Sequence, residues 1–389
     1  MRVYVLGAGA SYPIYPLGGG LFDAIDKHVR RCGRCFDRFD YQTDWPKLKE
    51  WLENNSNPLL REAYRSRNIE QIFTVLDLAE GLVSESQISM LSAAKLGADA
   101  VGKAVARHQS FAADIKQYRD ARSKLLWAVE DFFLQKNNDD SKDDSADRWN
   151  NLKRFGALLE PDDTVITFNY DSTVERVLLG LEKWSPSDGY GTQLVFQESD
   201  NNRDPVELAP SQVKVLHLHG AVGWYAKPVF SPDLDLSDEG GGPDHRSALS
   251  AAPLETEISL DPLFLQGLGI GYVDASLPRR PPNDLQIMLH PSFLKELGGK
   301  GQRNRIFDRL WRMALDALRS AEEVTIIGYS LPPADSAAWT LLHTCCERGK
   351  TFVVNPNRSV LMNRYGSLLQ LPGFQPLLNF GEWLDSKKP

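Results

Sequence analysis

The chain has 389 residues, of which 42% are hydrophobic and 25% charged, as in a folded protein of about two or three structural units rather than a disordered chain. Its 44 Lys and Arg against 52 Asp and Glu give a formal net charge of −8, which provides no general attraction to nucleic acid or an anionic membrane. Because it lacks a signal-peptide pattern, an apolar run of about 18 residues and a disulfide framework, we expect a cytoplasmic protein without a membrane span.

Five short apolar stretches are typical of buried strands. The first is RVYVL at residues 2–6, which runs directly into a glycine-rich turn. Four later stretches are rich in β-branched residues: 164–168, 213–218, 323–327 and 351–354. Helical patterns, with apolar residues three and four apart, separate several of them: 171–181, 305–321 and 336–348. This alternation predicts an α/β fold with a doubly wound, mostly parallel sheet.

The interval between the first two predicted strands has a different character. Residues 23–159 show strong helical periodicity and almost no strand signal, so we expect a large helical insertion, with residues 1–22 and 160–389 forming the core. Within the insertion, residues 68–82 and 96–135 predict an amphipathic helix and a long or kinked helix.

Two polar segments are expected to lie outside the regular elements. Residues 137–147 (NNDDSKDDSAD) contain no apolar side chain larger than Ala and predict a solvated acidic linker. Residues 231–263 contain three consecutive glycines and many acidic residues, which fit either a mobile lid or an ordinary surface loop.

A glycine-rich loop, Gly7-Ala8-Gly9-Ala10-Ser11, directly follows the first predicted strand. Glycine allows the backbone to approach a diphosphate closely, and the backbone amides at a helix start can bind it, although a tight turn without a ligand explains the same residues. The loop does not match the dehydrogenase fingerprint, because Tyr12 occupies the position of the third glycine.

Polar side chains follow the next two predicted strands of the sheet. In TFNYD, Asn169 could orient a water or a ribose hydroxyl, whereas Asn169 or Asp171 could also simply cap the following helix. In LHLHG, His219 is suited to general acid–base chemistry, and we expect His217 to be packed in the interior. Two histidines without a nearby third ligand make a poor metal site.

The last two predicted strands end in IGYSLPP and VVNPN. Their small and amide side chains could contact ribose and phosphate hydroxyls, but the same residue types also form turns.

In this order and spacing, the segments GAGAS, TFNYD, LHG, IGYSLPPAD and VVNPN resemble the motifs of the sirtuin-like family. The resemblance covers the first strand and the C-terminal half and leaves the helical insertion without a counterpart. It implies a Rossmann-like NAD-binding core with Asn169 and His219 as the catalytic pair. It also implies that the contacts to NAD come from Gly7, Ala8, Gly9, Ser11, Asp171, Gly328, Ser330 and Asn355.

One departure from that family pattern is informative. Protein-deacetylating sirtuins carry a zinc module with two separated Cys-x-x-Cys pairs, whereas Cys32-Gly33-Arg34-Cys35 is the only such pair here, and one pair cannot complete a closed zinc site. We therefore expect no metal. The IGYSLPPAD motif together with a helical insertion resembles the bacterial antiphage-defence branch of the family, whose members hydrolyse NAD.

These features lead us to expect an NAD glycohydrolase that converts NAD+ to nicotinamide and ADP-ribose. It would deplete NAD during abortive infection and would not bind nucleic acid directly. Two alternatives stay open: an NAD-dependent protein deacylase, and a non-catalytic sensor of NAD or ADP-ribose.

An uncontrolled NAD hydrolase would harm its own cell, so we expect regulation by homo-oligomerisation or by a partner protein. The resemblance suggests a HerA-type ATPase or an Argonaute-like protein as that partner. The aromatic residues of the insertion could provide an assembly surface or could pack its own core. They are Trp45, Trp51, Trp127, Phe132 and Phe133.

Overall fold

A computed structural model of the chain describes residues 1–32, 40–78, 98–138, 146–191, 194–195, 209–226, 258–260, 285–288, 302–332, 335–346, 350–357, 363–366 and 379–387. Contacts between Cα atoms divide the chain into two compact units. Unit 1 comprises Met1–Tyr15, Phe133–Leu289 and Glu296–Pro389, and unit 2 comprises Pro16–Phe132 and His290–Lys295.

The strands of the described residues all lie in unit 1. They are β1 (Arg2–Leu6), β2 (Thr164–Thr167), β3 (Leu194–Val195), β4 (Lys214–His217), β5 (Gly220–Ala226), β6 (Ile258–Leu260), β7 (Leu285–Met288), β8 (Glu323–Ile327) and β9 (Thr351–Val354).

The helices are distributed over both units. They are α1 (Ala8–Ser11), α2 (Gly18–Arg31), α3 (Asp44–Asn54), α4 (Pro58–Arg65), α5 (69–78), α6 (Ala98–Asn138), α7 (Ala146–Leu158), α8 (Thr173–Gly180), α9 (Gln302–Ser320), α10 (Ser336–Cys345), α11 (363–366) and α12 (Phe380–Ser386).

Five strands of unit 1 form a parallel sheet in the order β4-β2-β1-β8-β9. All four residues of β2 are buried, as are the last four of β1 and of β8, which matches the continuous apolar runs that a sheet covered on both faces requires. On the central strand, Tyr4 packs against Phe155 of α7 and Trp383 of α12, with ring centroids 5.2 and 6.3 Å apart. The predicted doubly wound α/β fold is confirmed.

Unit 1 also contains a four-stranded sheet, in the order β3-β6-β5-β7, which the sequence did not predict. Strand β5 pairs antiparallel with both β6 and β7, and β3 pairs parallel with β6. The interpretation of residues 231–263 as a loop or lid is therefore wrong for Ile258–Leu260, while the rest of that segment lies outside the described residues. A strand of three residues is too short to show an alternating pattern in the sequence. Its formation depends on pairing with residues that are distant in the chain.

Unit 2 is helical, as the residues of α2 to α5 and most of α6 predict. Phe22 stacks on Trp45 at 6.1 Å, and the buried Asp26 accepts hydrogen bonds from Trp45 Nε1 at 2.7 Å and Lys49 Nζ at 2.9 Å. The carboxylate inside this core is thus paired, as a buried charge requires.

The helix boundaries in and after the insertion differ from the predicted ones in places. The long helix predicted over 96–135 is observed as α6, and α5 covers 69–78 of the predicted 68–82, with 79–82 outside the described residues. The acidic linker predicted over 137–147 is shorter: residues 137–138 end α6, residues 146–147 begin α7, and 139–145 lie outside the described residues. When the rest of a helix is stabilised by packing, the helix can extend over polar terminal residues that would form a solvated loop by themselves.

Across the residues that the structure describes, we find no helix that is both long enough and apolar enough to span a lipid bilayer.

Candidate functional site

The register of the parallel sheet brings the ends of its strands to one edge. Leu6 of β1 lies opposite both Thr167 and Ile327, and these two in turn lie opposite His217 and Val354. The residues that follow each strand are therefore gathered at the carboxyl edge. The chain order changes direction between β1 and β8, which is the point where sheets of this type bind ligands.

The loops that follow β1 and β8 contact each other directly. The backbone N–H of Gly7 donates to Ile327 O at 3.0 Å, and that of Gly9 donates to Gly328 O at 2.9 Å. A Cβ on Gly9 would lie 2.8 Å from Gly328 O, and a Cβ on Gly328, whose φ is +63°, would lie 2.4 Å from the backbone N of Ala10. These glycines are therefore required by loop packing, whether or not a diphosphate binds here.

Asn169, which follows β2, is connected to the first loop through its side chain. Its Nδ2 donates to Gly7 O at 3.1 Å and to Ser11 Oγ at 2.8 Å, so both amide hydrogens are used. Its backbone N–H donates to Thr167 Oγ1 at 3.1 Å. Within the described residues nothing donates to Oδ1, which leaves this oxygen of a half-buried side chain able to accept a hydrogen bond from a ligand.

Asp171 ends the hydrogen-bonded series that begins at Asn169. Ser11 Oγ donates to Asp171 Oδ2 at 2.8 Å, while Oδ1 accepts from Thr173 N at 3.1 Å and Thr173 Oγ1 at 2.6 Å. The carboxylate thus also holds the first residue of α8. Burial raises the pKa of Asp171, and the hydrogen bonds from Thr173 and Ser11 offset only part of that shift.

His219 lies in a second group at the same edge. Its Nε2 is 3.4 Å from Asp335 Oδ2, and both side chains are buried. The hydroxyl of Tyr329 donates to the same carboxylate oxygen at 2.6 Å. Phe168 stacks on Tyr329 at 4.3 Å and meets the His219 ring edge-on at 5.0 Å. A carboxylate beside an imidazole fixes the orientation of the ring.

His217, the last residue of β4, is fully buried, which confirms the prediction that it is packed in the interior. Its Nδ1 is 3.0 Å from the backbone oxygen of Asn169, and its Nε2 is 2.5 Å from Glu175 Oε1. Burial lowers the pKa of His217, but the Glu175 carboxylate and the Asn169 carbonyl raise it by more, so the net shift is upward.

The remaining residues implied by the family resemblance have fewer contacts with the groups around Asn169 and His219. Ala8 begins α1, and Gly328 contacts Gly9 as described. Ser330 is exposed, and its backbone oxygen accepts from Arg364 Nη1 at 2.8 Å, while Asn355 Oδ1 accepts from Asn357 N at 3.0 Å. Over the described part of the chain, no hydrogen bond joins Ser330 or Asn355 to the groups around Asn169 and His219.

Three residues of the site were not singled out by sequence. Tyr329 and Asp335 lie within IGYSLPPAD. The sequence signal that could have identified them is that polar residues follow a buried strand there. Glu175 is a carboxylate on the buried face of α8, among Val174, Val177 and Leu178. A charged residue at an apolar helical position is the pattern that could have identified it.

No group of three or more His, Cys, Asp or Glu side chains that could hold a metal occurs among the described residues. Cys32 Sγ lies 3.7 Å from both ring nitrogens of His28, and Cys35 lies outside the described residues. Cys345 and Cys346 are free thiols.

No protein-family model matches the chain, and a search of curated proteins finds no match either. The resemblance to sirtuin-like proteins therefore rests on the sequence motifs alone.

Proposed function

We propose that this chain binds NAD at the carboxyl edge of its five-stranded sheet and hydrolyses it to nicotinamide and ADP-ribose. The observation that carries the proposal is the side-chain series from Asn169 through Ser11 to Asp171, which lies at the same edge as the His219–Asp335 pair. The edge includes the switch point between β1 and β8, where sheets of this kind bind dinucleotides.

The reaction needs little acid catalysis, which fits this set of side chains. The bond between ribose C1′ and nicotinamide breaks with the electron pair going to the nicotinamide nitrogen, which carries a positive charge in NAD and leaves as a neutral group. The ribose develops oxocarbenium character and is captured by water. Positioning can contribute about 7–11 kcal/mol to such a step.

The proposed roles follow from the positions of Asn169 and His219 at the carboxyl edge of the sheet. Asn169 Oδ1 accepts a hydrogen bond from the attacking water or a ribose hydroxyl, because Nδ2 is already engaged. His219, oriented by Asp335, takes the proton that the water loses as its oxygen bonds to C1′. The backbone around Gly7, Ala8 and Gly9 would approach the diphosphate.

Three further residues would contact NAD from the neighbouring strand ends. Gly328 and Ser330 follow β8, and Asn355 follows β9. Their contacts with the dinucleotide are proposed from the family resemblance.

By the same resemblance, we propose that the activity belongs to bacterial antiphage defence, where NAD depletion aborts infection. Such an activity requires control, for which we propose a homo-oligomer or a separate partner of the HerA-type ATPase or Argonaute-like class.

Product analysis tests the proposal. Purified protein is incubated with NAD, with and without an acyl-lysine peptide, and the products are separated. Nicotinamide and ADP-ribose formed without peptide are the expected result. Nicotinamide release that depends on the peptide would instead indicate a deacylase, and NAD binding without turnover would indicate a sensor.

A further inference from the structure

A buried histidine–glutamate pair contacts the backbone of Asn169 and has no part in the roles given above. His217 and Glu175 are 0% and 1% exposed, and they come from β4 and α8. The pair therefore connects β4, which lies at one end of the five-stranded sheet, to the helix that follows the Asn169 loop.

Both nitrogens of His217 are committed to fixed partners. The Asn169 carbonyl can only accept a hydrogen bond, so Nδ1 carries a hydrogen and donates it. On the other side, Nε2 faces Glu175 Oε1, which also accepts from Tyr190 Oη at 3.2 Å. With both nitrogens used and the ring fully buried, His217 cannot exchange a proton with a ligand.

His217 holds the backbone of Asn169 in place through its hydrogen bond to the carbonyl oxygen. The carbonyl accepts from His217, the backbone N–H donates to Thr167, and the side-chain amide donates to Gly7 and Ser11. Every polar atom of Asn169 except Oδ1 is thus fixed by another residue. The direction of Oδ1 depends on these contacts together.

Stability does not explain why a charged pair occupies this place. Glu175 Oε2 is buried and has no hydrogen-bond partner in the described part of the chain, which makes the carboxylate costly to bury. Apolar side chains of similar volume are often equally or more stable than a buried ion pair. A feature that does not favour folding is better explained by what it positions.

We propose that His217, held by Glu175, is a positioning residue for Asn169, and that it fixes the Asn169 carbonyl so that Oδ1 faces the reacting ribose. This inference rests on the proposed NAD hydrolysis, and it assigns to the motif LHLHG two histidines with separate tasks. His219 touches the substrate, and His217 acts through Asn169.

A matched pair of variants separates positioning from packing. Both carry Glu175→Gln, which keeps an acceptor for Tyr190 and removes the buried charge. One adds His217→Asn, whose amide can still donate to the Asn169 carbonyl, and the other adds His217→Leu, which has nearly the same shape but no donor. Melting temperature, kcat and KM for NAD are measured on all three proteins, with Glu175→Gln alone as the reference.

The expected result is a kcat lower by about 10²-fold in the Leu variant, with KM nearly unchanged, and a substantial recovery in the Asn variant at a similar melting temperature. Equal kcat in the Leu and Asn variants would overturn the inference.

If the wild-type protein does not cleave NAD, the proposed function fails, and crystal structures then decide the positioning role. Asn169 Nδ2 should leave Gly7 O and Ser11 Oγ in the Leu variant and stay in the Asn variant. An unmoved Asn169 in both would contradict the role.

Discussion

Asp171 determines the direction of the Ser11 hydroxyl that contacts Asn169, because an ionised carboxylate can only accept a hydrogen bond. When it is ionised, Ser11 Oγ donates to it and can accept from Asn169 Nδ2. When it is protonated, it can donate to Ser11 instead, which weakens the contact between Ser11 and Asn169 Nδ2 and leaves Gly7 O as the acceptor that holds the amide. The burial of Asp171 places this change at a higher pH than for an ordinary Asp.

The first prediction concerns the acid side of the pH profile of NAD turnover. Protonation of Asp171, whose pKa is raised by burial, should contribute to the loss of activity at acid pH, so turnover falls as the pH decreases and recovers as the pH rises. In Asp171→Asn, turnover should be lower at neutral pH and its acid limb shallower, because one titration is gone. An acid limb of unchanged slope in that variant would exclude a role for Asp171 ionisation.

The second prediction is that NAD cleavage survives metal chelators. The proposed roles use Asn, His, Ser and Asp side chains and require no Lewis acid. Turnover is measured before and after EDTA treatment, with an added-metal control. Activity that is lost in EDTA and restored by one metal would contradict the mechanism.

Sequence predicted part of this site because strand ends are recognisable. Asn169 and His219 follow apolar runs, and parallel strands bring such positions to one edge. The partners Asp335 and Glu175 come from the start of α10 and from α8, and their pairing with His219 and His217 depends on how helices pack on the sheet. That packing has no local signal in the sequence.

At the scale of elements, the contact between the loops after β1 and β8 should control both stability and activity. Gly328→Ala places a Cβ against the backbone of Ala10 and requires a left-handed φ, which by itself costs about 1–3 kcal/mol. We expect a lower melting temperature and lower NAD turnover than in wild type. Gly180→Ala, at the end of α8 with open space around it, is the matched control and should be neutral or stabilising by up to about 1 kcal/mol. Equal melting temperatures for the two variants would show that the loop contact is not needed.

The five strands of the parallel sheet were predicted with ends within one residue of those observed, because each is a continuous β-branched run bounded by small or polar residues. The second sheet was not predicted, because its strands are short or irregular. Strand β3 has two residues, β6 has three, and β5 contains two glycines and a register shift between Gly220 and Tyr225. Short, irregular strands owe their structure to their partners rather than to their own sequence.

At the scale of the whole molecule, the aromatic residues first considered for assembly are largely used in packing. Trp45, Phe132 and Phe133 are buried, and Trp51 is half-buried with its Nε1 donating to Gln117 Oε1 at 3.1 Å. The proposal of a homo-oligomer therefore rests on the need to control NAD hydrolysis. We expect light scattering to give a multiple of the monomer mass. A concentration-independent monomer that cleaves NAD at full rate without a partner would contradict it.

NAD cleavage by the group around Asn169 and His219 is proposed here on structural grounds and can be tested on single residues. Its most direct test is nicotinamide release by Asn169→Ala and His219→Ala, measured beside melting curves. The matched controls are Asn150→Ala and His343→Ala, which replace exposed residues of α7 and α10. We expect turnover to fall by about 10²–10⁴-fold in the two site variants while both remain folded, and we expect the controls to keep wild-type turnover. Near-normal nicotinamide release by either site variant would contradict the role assigned to that residue.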